Sequence, residues 1–160
     1  MSKLAIYPGS FDPFTRGHLN IIERGVKVFD KVIVAVAHNT SKKTVFTLKE
    51  RLEILNDIFK GRDDVVVDYF EGLLVEYIKK IGTNVVLRGM RTVSDFEYEL
   101  QMALANKTLD PDIETVFMVT DSEFSHISSS VIKEIVSLDG SAGHMVPPNV
   151  EEKLRKKLLK

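Results

Sequence analysis

The chain has 160 residues, 44% of them hydrophobic and 28% charged, enough for one domain with a sizeable core and too few for two comfortable ones. A formal net charge of -1 supplies no global pull toward nucleic acid or acidic membranes, so anion binding falls to local clusters. With no cysteine there is no disulfide framework and no thiolate metal site.

Met1-Ser2-Lys3 leads straight into a strand without a targeting segment, and the expected address is the cytoplasm. Lys3-Leu4-Ala5-Ile6-Tyr7 is a short apolar run that predicts a buried strand. It feeds into Pro8-Gly9-Ser10-Phe11-Asp12-Pro13-Phe14-Thr15-Arg16-Gly17-His18, where glycines and prolines punctuate a tight connection. Leu19, Ile22, Val26 and Phe29 then recur at helical spacing. Strand, Gly-rich turn and helix N-terminus make a natural anion site, because unpaired N–H groups and the helix dipole both face the loop. Thr15-x-Gly17-His18 adds an imidazole there. The spacing is neither that of a P-loop nor the Gly-x-Gly-x-x-Gly of a dinucleotide-binding turn.

Val32 to Ala37 is a continuous apolar run of the kind buried on both faces of a parallel sheet. A polar loop, His38 to Phe46, carries Ser41-Lys42-Lys43, and Thr47-Leu48-Lys49-Glu50 has capping-box form, predicting a helix to about Phe59. Val65 to Tyr69 predicts a third strand, Leu73 to Ile81 a helix closed by Gly82, and Asn84 to Leu87 a fourth strand. That strand ends in Arg88-Gly89-Met90-Arg91. Ser94-Asp95-Phe96-Glu97 then opens a long helix, with Tyr98, Met102 and Leu109 expected on core positions, which Asp110-Pro111 breaks. Thr115 to Val119 is the fifth strand, and Ile127-Ser128-Ser129-Ser130 starts a helix to about Leu138. Gly140 and Gly143 mark a loop, and Pro147-Pro148-Asn149 opens a last amphipathic helix to Lys160.

Strands alternating with helices predict an α/β fold, a doubly wound five-stranded parallel sheet whose ligands bind at the carboxyl ends of the strands. His18 follows strand one, Lys42 and Lys43 strand two, Arg88 and Arg91 strand four, and Ser128 to Ser130 strand five. Each cluster alone is compatible with a structural role: a satisfied histidine, a solvated lysine loop, a helix cap. Arg88 stands apart, because an arginine beside the apolar run Val85-Val86-Leu87 requires an anionic partner. Four polar clusters on one sheet edge predict a polyphosphate site.

These same stretches, from Pro8 to His18, Ser41-Lys42-Lys43, Arg88-Gly89-Met90-Arg91-Thr92-Val93-Ser94-Asp95-Phe96-Glu97-Tyr98-Glu99 and Ile127 to Glu134, resemble the bacterial phosphopantetheine adenylyltransferases almost end to end. The Thr-x-Gly-His turn with Ile-Ser-Ser is shared by the wider nucleotidyltransferase superfamily; the Arg-Gly-x-Arg stretch is narrower. The resemblance implies one Rossmann-like nucleotidyltransferase domain over residues 1–160. It also implies transfer of the adenylyl group of ATP to 4′-phosphopantetheine with Mg²⁺, giving dephospho-coenzyme A and pyrophosphate in coenzyme A synthesis. No nucleic-acid or membrane partner is expected, and the family assembles as a hexamer, a dimer of trimers.

Carried over by resemblance, His18 stabilises the transition state at the α-phosphate, with Ser10, Lys42 and Arg91 in the catalytic set. Ser10, Lys42, Leu74 and Arg88 contact phosphopantetheine. Ser10, Phe11, His18, Gly89, Met90, Arg91, Glu99 and the segment Phe124, Ser125, His126, Ile127, Ser128, Ser129 and Ser130 contact ATP. His126 departs from the family, which carries an aromatic there. A phosphate nucleophile is already anionic near neutral pH, so no general base is required. Three other readings stay open: a sister nucleotidyltransferase with another acceptor, a nucleotide sensor without turnover, and a nucleic-acid module using the Lys-rich C-terminus. Leu100, Leu104 and Val131 are compatible with either core or interface.

Overall fold

A computed structural model describes residues 3–159, so Met1, Ser2 and Lys160 lie outside it, and the last helix, expected to reach Lys160, already ends at Leu158 because Leu159 is extended. Its centre is the strand β1 (Leu4–Gly9). After it come α1 (Arg16–Gly25), β2 (Lys31–His38), α2 (Leu48–Ile58), β3 (Val65–Glu71) and α3 (Leu74–Ile81). The second half runs β4 (Val85–Met90), α4 (Val93–Leu109), β5 (Glu114–Val119), a 3-10 turn at Ser122–Phe124, α5 (Ser129–Ser137) and α6 (Val150–Leu158). The five strands form one parallel sheet in the order β3-β2-β1-β4-β5.

Strand alternation sends Ala5, Tyr7, Val32, Val34, Val36 and Leu87 to one face, where Ile21, Ile22, Leu55 and Phe59 of the α1–α2 side cover them. Ile6, Ile33, Ala35 and Val86 point the other way, onto Val75, Tyr77 and Ile78 of α3. A third cluster joins Phe46 and Ile54 to Ile127, Ile132, Val136, Val150 and Leu154, and thereby packs α5 and α6 beside α2.

Local chemistry sets most boundaries. The Thr47 hydroxyl accepts the Glu50 N–H at 3.2 Å while the Glu50 carboxylate accepts the Thr47 N–H at 2.9 Å, the reciprocal cap that starts α2. Gly82 ends α3 in the left-handed region, φ 81°. β1 starts at Leu4 and continues past Tyr7, because Pro8 and Gly9 still pair with Ala35 and Val36 of β2. β4 likewise runs past Leu87 to Met90, opposite Val119 of β5.

Three expectations are corrected. α1 stops at Gly25, so Phe29 enters the core from a turn, its N–H bonded to the Gly25 carbonyl at 2.8 Å. α4 starts at Val93, because extended Thr92 and not Ser94 is the cap, its hydroxyl accepting the Asp95 N–H at 3.2 Å. Tyr98, Met102 and Leu109 are not core residues: they are 61%, 43% and 56% exposed, and Leu100, Leu104 and Val131 are exposed too. The buried side of α4 is claimed instead by the carboxylate of Glu99. Its apolar residues are spread around the helix, and many of them stay exposed among the described residues.

At Gly25 the end of α1 lies against the sheet so closely that a Cβ would stand 2.8 Å from Leu87 Cδ2. Gly25→Val is expected to lose about 1–3 kcal/mol by overpacking, read from the denaturant midpoint.

Candidate active site

The loop between β1 and α1 turns on Phe11, a non-glycine residue at φ 49°. The left-handed region costs such a residue on the order of 1 kcal/mol or more, and packing must hold it there. The Phe11 ring does so edge-on to Tyr7 at 5.5 Å and to His18 at 5.1 Å, with Phe14 at 5.7 Å. Gly9 is required beneath it, since a Cβ there would meet the same ring at 2.9 Å.

Thr15 caps α1 in an unusual capping box whose third helical residue is His18. The His18 N–H donates to Thr15 Oγ1 at 3.2 Å, and His18 Nδ1 accepts the Thr15 N–H at 3.0 Å. A nitrogen that accepts carries no proton, so the neutral ring is protonated at Nε2, free for the cavity that His18 lines. Burial, reinforced by Arg88 and Arg91, pushes the imidazole from the ordinary 6.5 down to about 3. His18 is therefore a neutral donor at working pH.

Asp12 ties this loop to its neighbours. Its buried carboxylate accepts the N–H groups of Val45 and Phe46, each at 2.9 Å, and lies 3.4 Å from Lys133 Nζ of α5. The loop bearing Lys42 is thus anchored to the loop bearing Ser10. Arg51, fully buried, donates to the Ser10 carbonyl at 2.8 Å and the Ala37 carbonyl at 3.3 Å from beneath. Ser129 closes the ring from α5, its hydroxyl donating to the Pro13 carbonyl at 2.8 Å.

Across the cavity, Arg88 donates to Glu99 through Nε at 2.7 Å and Nη2 at 2.5 Å, and through Nη1 to the Pro8 carbonyl. Burial opposes its charge, but Glu99 more than offsets that and raises its pKa. Three of the five guanidinium N–H groups are used, which leaves two for a ligand. Arg91 is set by Asp95 at 3.4 Å and donates to the Ile127 carbonyl at 2.8 Å. Gly89 is bare by necessity, because a Cβ would stand 2.8 Å from Ile21.

These groups surround one cavity of about 590 Å³ at the carboxyl edge, where the strand order reverses between β1 and β4. Of the residues predicted from sequence, Ser10, Phe11, His18, Lys42, Arg88, Gly89, Arg91, Glu99, Ile127, Ser128, Ser129 and Ser130 line it. Leu74, Met90, Phe124, Ser125 and His126 do not. Leu74 opens α3 and packs on the opposite core, while Phe124 packs beside α5 with its carbonyl near Gly17. Sequence reading missed Tyr7, Asp95, Thr120 and Lys133 as lining residues. Helical spacing offers Lys133 as the one detectable case, one turn beyond Ser129.

Lys42, Lys43, Arg88, Arg91 and Lys133 outnumber Asp12, Asp95 and Glu99 in the lining, and all three carboxylates are engaged within the protein. Among the described residues no cluster of three or more His, Asp and Glu could hold a metal by itself. Cations and a neutral imidazole at the switch point of a parallel sheet suit phosphate-transfer chemistry, and the cytidylyltransferase-like family model, matching residues 6–135, makes the class a nucleotidyltransferase.

The chain is 50% identical over 158 residues to a phosphopantetheine adenylyltransferase of Caldanaerobacter subterraneus subsp. tengcongensis, covering 99% of both chains. It is 54% identical over 153 residues to that of Dictyoglomus thermophilum, covering 96% of this chain and 93% of the relative. The Dictyoglomus turgidum protein of the same name is 52% identical over 153 residues, with 96% of each covered. The chain belongs to the phosphopantetheine adenylyltransferase family.

The depressed His18 has a consequence for stability. Between pH 6.5 and about 3 the unfolded chain protonates this histidine while the folded one does not, so stability falls as pH falls through that window. His18→Gln, which keeps a capping-box side chain, is expected to flatten this part of the slope in denaturant melts at stepped pH.

Proposed function

We propose that this cavity transfers the adenylyl group of ATP to the phosphate of 4′-phosphopantetheine, giving dephospho-coenzyme A and pyrophosphate. The observation that carries the reading is the neutral His18, its donor Nε2 free beside two arginines in a cavity whose carboxylates are all engaged. Such a site stabilises charge and has no free base, which suits a nucleophile that is already an anion.

In this reading the acceptor phosphate binds the two free N–H groups of Arg88 and the ammonium of Lys42, and the pantetheine arm runs along the strand ends toward the backbone of Leu74. The nucleotide lies across Gly89, Met90 and Arg91, with its β- and γ-phosphates on Ser128 to Ser130 at the N-terminus of α5. Its adenine is wrapped by residues 124–127. The acceptor oxygen attacks the α-phosphorus in line, the α–β bond breaks, and pyrophosphate leaves with the electron pair. His18 Nε2–H and the Ser10 hydroxyl donate to oxygens whose charge grows at that moment. Glu99 acts through Arg88, which it holds charged and oriented.

Mg²⁺ would be brought by the nucleotide, since the cavity carboxylates Asp12, Asp95 and Glu99 are already engaged within the protein, and would supply neutralisation of phosphate charge. The cytoplasm, where ATP is made, is the proposed location; no helix among the described residues is long and apolar enough to cross a membrane. The exposed apolar side chains of α4, Leu100 and Leu104 among them, support the hexamer that the family resemblance implies.

The test is pyrophosphate release from MgATP with 4′-phosphopantetheine, nicotinamide mononucleotide or glycerol 3-phosphate as acceptor. Release with phosphopantetheine alone is expected, and turnover of another acceptor in its place overturns the reading. His18→Ala should lower kcat about 100-fold or more with little change in either KM. Arg88→Ala and Lys42→Ala should instead raise the KM for phosphopantetheine by a larger factor than the KM for ATP. Sedimentation equilibrium should give a hexamer, and Leu104→Glu should shift it to smaller species.

A further inference from the structure

Tyr7 is only 5% exposed, yet it lines the cavity. Its hydroxyl donates to no group among the described residues, and it is not sealed in: the side-chain atoms that are both sealed and unpartnered are His38 Nδ1 and Arg51 Nε. The Tyr7 oxygen therefore opens onto the cavity floor. It stands 3.7 Å from the point where a Cβ on Gly89 would sit, and its ring lies 6.4 Å from that of His18.

A phenylalanine would keep every apolar contact of this ring, including the edge-on packing against Phe11, without placing a hydroxyl in a nearly buried position. A polar group that finds no protein partner at the floor of a site is satisfied by water or by a ligand that displaces it. Burial raises the phenol above its ordinary range although nearby Arg88 pulls it down, so Tyr7 keeps its proton and has a hydrogen to donate.

We propose that Tyr7 is a catalytic residue whose phenol donates a hydrogen bond to a phosphoryl oxygen held in the cavity beside His18, on either the acceptor phosphate or the α-phosphate of ATP. The inference rests on the adenylyl-transfer reading given above. No proton moves in the step. The acceptor oxygen bonds to the α-phosphorus, the bond to the β-phosphate oxygen breaks with its electron pair leaving on pyrophosphate, and Tyr7 shares its hydrogen with an oxygen throughout.

The experiment compares wild type with Tyr7→Phe in kcat, both KM values and thermal midpoint. A fall of about tenfold or more in kcat/KM at unchanged midpoint is expected. A fall in kcat with both KM values held assigns the bond to the transition state at the α-phosphate. A rise in the phosphopantetheine KM alone assigns it to the acceptor. Unchanged kinetics overturn the proposal. If Tyr7→Phe lowers the midpoint, 3,5-difluorotyrosine at position 7 keeps the ring and hydroxyl but ionises at lower pH. Activity should then fall with rising pH as the donor is lost, and a profile identical to wild type overturns the proposal. Wild type that turns over no phosphopantetheine defeats the underlying reading; active wild type with an indifferent Tyr7→Phe defeats this inference alone.

Discussion

The site depends on the parting of two strands. β1 stays in register with β2 for its whole length, but its only paired position on β4 is Ile6 with Val86. Beyond that point Pro8 has no N–H to offer, and its carbonyl is taken by Arg88. The separation of the strands opens the carboxyl edge, and the same arginine bridges the gap to Glu99. A sheet whose crossovers all ran in one direction would have no such opening at its centre.

Around the opening, the loops are held by polar groups, two of which, Asp12 and Arg51, are themselves buried. Asp12 holds the Lys42 loop by two backbone N–H groups, Arg51 holds the Ser10 carbonyl, and Ser129 holds Pro13. Buried ionic groups contribute little net stability, because desolvation opposes what pairing supplies. Their value here is geometric: each fixes the backbone next to a ligand-facing residue. A site preorganised in this way does not have to reorient its dipoles as charge moves during reaction.

The cavity is cationic while the protein as a whole is almost neutral. That combination attracts phosphates locally without making the surface a general polyanion binder. Keeping His18 neutral belongs to the same economy, since a third positive charge beside Arg88 and Arg91 would be opposed by both neighbours and by burial.

Sequence alone encodes the alternation of strands and helices, the sheet edge that carries function, and most of the residues around the cavity. Those are local signals: apolar runs, capping residues, glycines, and polar clusters that each follow a strand by a few positions. It could not determine where β1 and β4 end, because a strand persists as long as a neighbour pairs with it. It misplaced Tyr98, Met102 and Leu109, because helical spacing identifies a face but not what covers it. Only the tertiary structure decided that Glu99 belongs to Arg88, that Asp12 and Lys133 meet across 121 positions of chain, and that the Tyr7 hydroxyl reaches the cavity floor. The physical reason is the same in each case: a charge or hydroxyl finds its partner through space, at a separation that no local pattern encodes.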